Sequence, residues 1–136
     1  MDIQVNKDIY NGLKAYNNTL NNNNYGNTIL EVAPKNKVYP YTILHTIRDV
    51  ANPNYNTLYG RVSSKGYRVD IYAQNKGKIL RKDIADIISQ QVDFYMSAIG
   101  LQRVSYNAVD LESDGTTYHI IMTYSADLDE YRRKFI

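Results

Sequence analysis

Residues 67–100, YRVDIYAQNKGKILRKDIADIISQQVDFYMSAIG, decide the fold, because a strand pattern gives way there to a helix pattern. In residues 67–74 apolar and polar side chains alternate, which predicts a strand with one buried face. Asn75-Lys76-Gly77 interrupts the alternation, and the pattern that follows predicts a long amphipathic helix ending at Gly100 in a left-handed cap. The predicted apolar face of this helix contains Leu80, Ile84, Ile87, Ile88, Gln91, Tyr95 and Ile99.

The chain begins with another helix pattern, which covers about Gln4 to Leu20. Its apolar residues recur at spacings of three and four and form one stripe: Ile9, Leu13, Tyr16 and Leu20. The asparagine-rich stretch from Asn21 to Asn27 ends this helix, because asparagine competes for backbone hydrogen bonds and both Asn and Gly accept left-handed turns. The sequence assigns these asparagines no further role.

Two prolines mark the region after the first helix. Pro34 and Pro40 cannot donate a backbone hydrogen bond, and each favours extended geometry in the residue before it. The chain beyond the short stretch Ile29 to Val32 is therefore predicted to be an edge or an irregular segment. Tyr41 to Asp49 is rich in Thr, Ile and Leu, which predicts a regular strand.

The remaining strands are predicted from shorter patterns. Thr57 to Val62 is predicted as a brief strand, and Ser63-Ser64-Lys65-Gly66 as a turn. Gln102 to Leu111 and Thr116 to Asp127 are predicted to pair as a hairpin. The connection from Glu112 to Gly115 contains an Asp-Gly pair, which suits a tight turn.

The length of 136 residues fits one domain. Hydrophobic residues make up 43% and charged residues 22%, the balance of a chain that folds. We predict the α+β class, with two helices packed on a mostly antiparallel sheet of four to five strands in the order α-β-β-β-α-β-β. The domain is predicted to cover residues 1–127, and residues 128–136 a basic and aromatic arm that stays mobile unless a neighbour holds it.

Composition excludes several classes of protein. Cysteine is absent, so disulfides, thiolate metal sites and a cysteine nucleophile are ruled out. The first nine residues lack the apolar stretch of a secretion signal, and no apolar run approaches the roughly 18 residues that cross a bilayer. A cytoplasmic protein with no membrane partner is expected. The net charge of +2 does not indicate a nucleic-acid partner.

Tyrosine is unusually abundant, with 14 Tyr against 2 Phe and no Trp. A tyrosine ring offers broad contact area with a polar tip, so it suits surfaces that a complex covers. The composition therefore favours interaction over catalysis, although biased codon usage explains the same counts.

The histidines do not predict a metal centre. His45 and His119 lie on separate predicted strands, and metal sites need three or four converging ligands. Pairing of their two strands would make them neighbours, but the flanking residues offer no carboxylate. We predict no metal, no cofactor and a structural role for both histidines.

Catalytic and ligand-binding motifs are equally weak. No serine lies in a nucleophile elbow, and the paired carboxylates sit at a helix start or near the terminus, where solvated charge is the better interpretation. The basic turn Asn75 to Lys78, with Arg81 and Lys82, could hold a phosphate but lacks the P-loop spacing. The central tyrosines could stack bases, yet the basic residues that accompany such platforms are sparse. We predict no catalytic residue and no enzyme.

Three phrases resemble the tail terminator, or tail completion, proteins of tailed bacteriophages. They are Tyr39-Pro40-Tyr41 before a strand, Tyr67-Arg68-Val69-Asp70-Ile71-Tyr72, and the closing strand from Tyr118 to Asp127. The order of helix, strands, long helix and hairpin is also similar to that family, so the resemblance spans most of the chain.

This resemblance implies a structural virion protein that forms a ring, hexameric in the family, on the head-proximal end of the tail tube. Such a ring stops tail growth and offers the head-joining surface. It implies as partners further copies of the chain, the tail tube protein, the sheath where one exists, and neck or connector proteins. DNA would only pass through the lumen, which the small net charge suits. The location implied is the virion, after assembly in the host cytoplasm.

Exposed, irregular and aromatic segments are the candidates for subunit contacts. These segments are Asn36 to Pro40, Asn52 to Tyr59 and Tyr131 to Ile136. The interface residues predicted from them and from the adjoining strand are Tyr39, Tyr41, Tyr55, Tyr59, Tyr131, Arg132, Arg133 and Phe135. A head-tail connector or stopper protein is the alternative, and a small enzyme or nucleic-acid-binding module a further one.

Overall fold

The computed structural model describes residues 3–51, 62–111, 116–129 and 134–135. In chain order the elements are α1 (Ile3–Thr19), a 3₁₀ turn (Asn21–Asn24), β1 (Thr28–Leu30), β2 (Tyr41–Ala51), β3 (Val62–Gln74), α2 (Arg81–Ala98), β4 (Gln102–Leu111), β5 (Thr117–Asp129) and β6 (Lys134–Phe135). This order confirms the predicted α+β fold class with two helices. Within the described ranges, neither helix combines the length and apolarity needed to span a membrane.

The strands form one sheet in the order β1-β2-β3-β5-β4. β1 runs parallel to β2, and every other pairing is antiparallel, as predicted. The short β6 pairs with the end of β5, where Leu128 lies opposite Phe135. This part of the predicted arm therefore contacts the chain's own sheet. β5 also runs two residues beyond its predicted end at Asp127.

Both helices pack on one face of the sheet and enclose the core. From β3 this face contributes Tyr67, Val69, Ile71 and Ala73, which confirms the predicted buried face of that strand. From β5 it contributes Tyr118, Ile120, Met122 and Tyr124. Burial of these side chains against Leu13 and Ile88 of the helices supplies the main driving force for folding.

The turn predicted at Ser63 to Gly66 is wrong, because these residues belong to β3. They pair with β2 on one side and with β5 on the other, so the sheet satisfies backbone groups that a turn would otherwise satisfy. A Cβ atom at Gly66 would lie 3.0 Å from the Cβ of Arg48 on β2. The glycine therefore marks a close approach of two strands next to a β-bulge of β2.

The end of α2 is confirmed, but its buried face is rotated from the predicted one. Gly100 has φ of +101°, and the backbone N–H of Leu101 donates to the carbonyl of Met96, as in a Schellman motif. The buried residues are Ile84, Ala85, Ile88, Ser89, Val92 and Met96. Leu80, assigned to the apolar face, precedes the helix and is mostly exposed. The small residues Ala85 and Ser89 are among those buried, and their size permits close packing of the helix.

The predicted strand Thr57 to Val62 lies outside the described residues except for Val62, which begins β3. The predicted turn from Glu112 to Gly115 also lies outside them.

Candidate functional site

A buried carboxylate lies on the sheet face opposite the helices. Asp70 stands on the central strand β3, between β2 and β5, and is only 1% exposed. Cross-strand pairing places Tyr41, Tyr72 and His119 in one row beside it. The sheet order therefore brings together groups that are far apart in sequence.

Three cationic or cation-forming side chains surround Asp70, and we call the four residues the Asp70 cluster. His45 Nε2 lies 3.0 Å from Asp70 Oδ2, and His119 Nε2 lies 2.9 Å from Oδ1. Arg68 donates from Nε and approaches with Nη2, both 2.9 Å from Oδ2. Both carboxylate oxygens are thus used, which is the condition for burying a charge at tolerable cost.

The electrostatics of Asp70 follow from these contacts. Burial by itself would raise the pKa of this carboxyl group. The hydrogen bonds from His119 and Arg68, together with the charge of Arg68, outweigh burial and lower the pKa below its ordinary value of 3.8. The carboxylate form is therefore the one that the folded chain stabilises.

A row of tyrosines leads away from the cluster. The ring of Tyr72 stacks on His119, with 4.1 Å between the ring centroids, and on Tyr41, with 4.9 Å between them. The ring of Tyr39 packs against Tyr41 at a centroid distance of 5.2 Å. Burial, followed by the nearby Tyr39 and Tyr72, raises the pKa of Tyr41 to about 12. Tyr41 therefore stays neutral at physiological pH, and the packed rings hold Tyr39, in the irregular segment before β2, against the sheet.

The residues that flank the histidines in sequence do not supply the carboxylate that both contact, and the prediction missed Asp70 because it lies on another strand. Their strands do not pair with each other, and the carboxylate comes from β3 between them. Among the described residues, no group of three or more His, Cys, Asp and Glu side chains could hold a metal ion. The hydrogen bond between His119 and Asp70 and the close contact of His45 with the same carboxylate fit the structural role predicted for both histidines.

A polar cleft of about 420 Å³ lies between α2 and β4 on the helix side of the sheet. The hydroxyl of Tyr124 donates to Asp93 at 2.8 Å, and Arg103 approaches the other oxygen of Asp93 at 3.6 Å. Burial, and then the contact with Asp93, raises the pKa of Tyr124 above its ordinary value. The guanidinium of Arg103 also lies over the Tyr106 ring, 5.6 Å from its centroid. Tyr106 in turn donates a long hydrogen bond of 3.4 Å to Asp86.

The edge of the sheet next to this cleft is apolar and exposed. Within the described residues, β4 pairs on one side only, with β5. Val104 is 65% exposed and Val109 is 47% exposed, and the Tyr106 ring is also exposed. We call these three residues the β4 edge. Unpaired backbone groups on such an edge are a template for another strand.

The opposite side of the sheet ends in the irregular segment that follows β1, as predicted from its prolines. Val32 is 73% exposed and Val38 is 72% exposed. Lys35 and Lys37 lie between them and are also exposed. We call residues 32–38 the valine-lysine segment. Glu31 before it is paired with Lys7 of α1 at 3.2 Å.

The described part of the chain includes three of the predicted interface residues. Tyr39 is half-buried beside Tyr41, and Tyr41 is only 4% exposed, so the chain itself covers most of that ring. Phe135 of β6 is partly buried and packs against the core near Gly100. Tyr55, Tyr59, Tyr131, Arg132 and Arg133 lie outside the described residues. Contact of these eight residues with a neighbour stays a prediction.

The weak phosphate-binding pattern is used within the chain. The side-chain oxygen of Asn75 accepts a hydrogen bond of 2.7 Å from the backbone N–H of Arg81 at the start of α2. Lys76 donates to the carbonyl of Tyr25 at 2.9 Å. The first contact satisfies a backbone donor in the first turn of α2, and the second connects the loop before α2 to the turn after α1, so both side chains have a structural use.

The asparagine-rich stretch has a structural role that the sequence did not reveal. Asn17, Asn24 and Asn27 are buried, and we call these three the asparagine network. Asn17 donates to the carbonyl of Asn27 at 2.7 Å, and its own oxygen accepts from the amides of Asn24 and Asn27. Thr42 of β2 donates to Asn27 at 3.0 Å. The network ties α1 to the sheet.

Comparisons with known proteins give a match of fold. No protein-family model matches the chain, and no curated protein matches it. Among solved structures, it is similar to a chain of the virion of a native gene transfer agent particle. The likeness has a TM-score of 0.54 at 12% sequence identity and covers 86% of this chain and 84% of that one. The two chains share a fold over most of their length.

Proposed function

We propose that this chain is a structural virion protein, without catalytic activity, which forms a ring on the head-proximal end of a phage tail tube. The ring stops tail polymerisation and provides the surface that joins the head. The observation that carries this proposal is the fold shared with a chain of a gene transfer agent virion over most of both chains. The sequence phrases that resemble tail terminators support the proposed position within the particle.

The surfaces of the molecule support assembly. The β4 edge and the valine-lysine segment expose apolar side chains on the two opposite sides of one sheet. Head-to-tail contacts between unlike patches produce a closed ring where the rotation between subunits allows closure. A subunit with adhesive patches on opposite sides suits that geometry better than a twofold dimer, which uses one patch twice.

Electron microscopy of negatively stained samples tests this function. The purified protein is imaged alone and after mixing with tail tubes assembled from the tube protein of the same genome. Hexameric rings that cap one end of each tube, and a narrower distribution of tube lengths when the protein is present during polymerisation, are expected. Tubes grown without the protein are the control.

Two results would contradict the proposal. A protein that stays monomeric and leaves tube ends and tube lengths unchanged would not be a tail terminator. Rings that ignore tubes but bind the portal or connector would instead identify the head-tail stopper protein, which shares the assembly logic.

A further inference from the structure

The two sides of the sheet differ in a way that indicates how copies of the chain meet. β4 has ten residues, whereas β1 has three and continues into the irregular valine-lysine segment. A long edge can accept an extended segment along its length, and an irregular proline-containing segment can supply one. The β4 side therefore offers a long strand edge, and the β1 side offers an extended segment that such an edge can bind.

The β4 edge has few of the features that prevent edge-to-edge association. Residues 104–109, VSYNAV, contain neither a charged residue nor a proline. A β-bulge between Arg103 and Ser105 distorts only its first residues. Native proteins usually protect long edges with charges, prolines or short strands, so a six-residue stretch without charge or proline, which no described residue pairs with on its outer side, is typical of a contact surface.

Charge distinguishes the occupant of this edge. Asp83, Asp86 and Asp93 recur on α2 at spacings of three and seven, which places them on one helical face, and the last two line the cleft beside β4. Arg103 is the basic residue of the cleft and lies by Asp93. The valine-lysine segment, VAPKNKV, carries two lysines and no acid. A basic segment flanked by valines thus matches an acidic cleft that borders the apolar β4 edge.

We propose that the valine-lysine segment of one copy packs along the β4 edge of the next, with Lys35 and Lys37 facing the aspartates of α2. This inference rests on the proposed ring and names the two surfaces that build it. The valines then cover the exposed side chains of the β4 edge. The two patches lie four strand spacings apart, about 19 Å, so one molecule cannot satisfy its own contact and the chain must continue from copy to copy.

Crosslinking tests the contact directly, because the chain has no cysteine of its own. Val38→Cys and Val104→Cys are introduced singly and together into the full chain, and a short bis-maleimide is added. On a denaturing gel the double variant should give a ladder of covalent oligomers that ends at the size of the ring. Each single variant should give only the uncrosslinked chain. Dimers of Val104→Cys alone would show two β4 edges pairing around a twofold axis and would overturn the proposal.

Charge exchange tests the same contact without a crosslinker. Lys35→Glu combined with Lys37→Glu should raise the protein concentration needed for ring assembly at least tenfold, as measured by mass photometry. Adding Asp83→Lys and Asp86→Lys to that variant should restore assembly. Lys14→Glu with Lys78→Glu is the matched control, because these lysines are exposed and lie outside both patches. Asp93 is left intact since it accepts the hydrogen bond of Tyr124.

The outcomes separate this inference from the proposed function. Wild-type rings that cap tubes but neither form the ladder nor respond to charge exchange would overturn the contact and leave the function standing. A wild-type chain that forms no oligomer would overturn the contact as well, and the absence of capping would remove the function with it.

Discussion

The asparagine network and the Asp70 cluster both tie elements together with buried polar side chains, but they do so by different chemistry. The network uses neutral amides on the helix side of the sheet and satisfies them internally. The cluster uses an ionised carboxylate on the opposite face, where Arg68 and His45 keep a third or more of their side chains exposed. One region excludes solvent, and the other reaches it.

This difference decides how each region responds to mutation. Loss of the Asn17 amide leaves the buried amide of Asn27 without its acceptor, and a buried donor of this kind cannot turn to water. Loss of the carboxylate leaves Arg68 and His45, which are partly exposed and can turn outward, so solvent replaces part of the lost interaction. The neutral network should therefore be the more costly of the two to break, despite its lack of charge.

Asn17→Ala should have the largest effect. It removes the donor to Asn27 and the acceptor of two amides, so we expect a loss of about 3 kcal/mol in the free energy of unfolding. Urea denaturation at one fixed protein concentration measures it, because assembly changes apparent stability. Asn18→Ala, on the exposed side of the same helix, is the control for helix propensity. Equal losses in both variants would contradict a structural network.

Asp70→Ala should cost less, about 2 kcal/mol, because Arg68 and His45 are partly exposed and regain water. Asp70→Asn keeps the size and an acceptor oxygen and should lose about half as much. Asp127→Ala, an exposed carboxylate on β5, should change stability by no more than about 0.5 kcal/mol. Urea denaturation compares the three. An Asp70→Ala loss larger than that of Asn17→Ala would reverse the comparison.

Much of the fold could be predicted from the sequence, because its signals are local. The period of α1, the alternation of residues 67–74 and Gly100 at the end of α2 each depend on neighbours within a few positions. The turn prediction failed at Ser63 to Gly66 because a central strand obtains its hydrogen bonds from two partners that are distant in sequence. Turn propensity is weak beside that pairing.

The candidate site could not be predicted for the same reason. Asp70 meets His45 and His119 only because β3 lies between β2 and β5, and that order depends on a crossover through α2. The available signal was an aspartate on the polar side of an alternating strand, together with one histidine on each of two other strands. The exposed position of β4 likewise follows from strand order and not from its own residues.

A fall in pH should produce the smallest change in stability of the effects considered, and it should distinguish the Asp70 cluster from the asparagine network most clearly. Because the Asp70 pKa is lower in the folded chain than the ordinary 3.8, the folded state binds fewer protons there than the unfolded state. The stabilisation from the Asp70 carboxylate is complete above pH 3.8 and is lost as the pH falls through the pKa of the folded state. Asn cannot titrate, so the stability gap between wild type and Asp70→Asn should narrow on acidification.

This effect is measured by thermal unfolding of wild type, Asp70→Asn and Asn17→Ala at a series of pH values from neutral to below pH 3.8. The gap between wild type and Asn17→Ala should stay constant over the same range, because amides do not titrate. A constant gap for Asp70→Asn would show that the charge of Asp70 contributes nothing to folding and that shape alone matters at this position. Parallel narrowing of both gaps would instead indicate a general acid effect and remove the distinction between the ionised cluster and the neutral network.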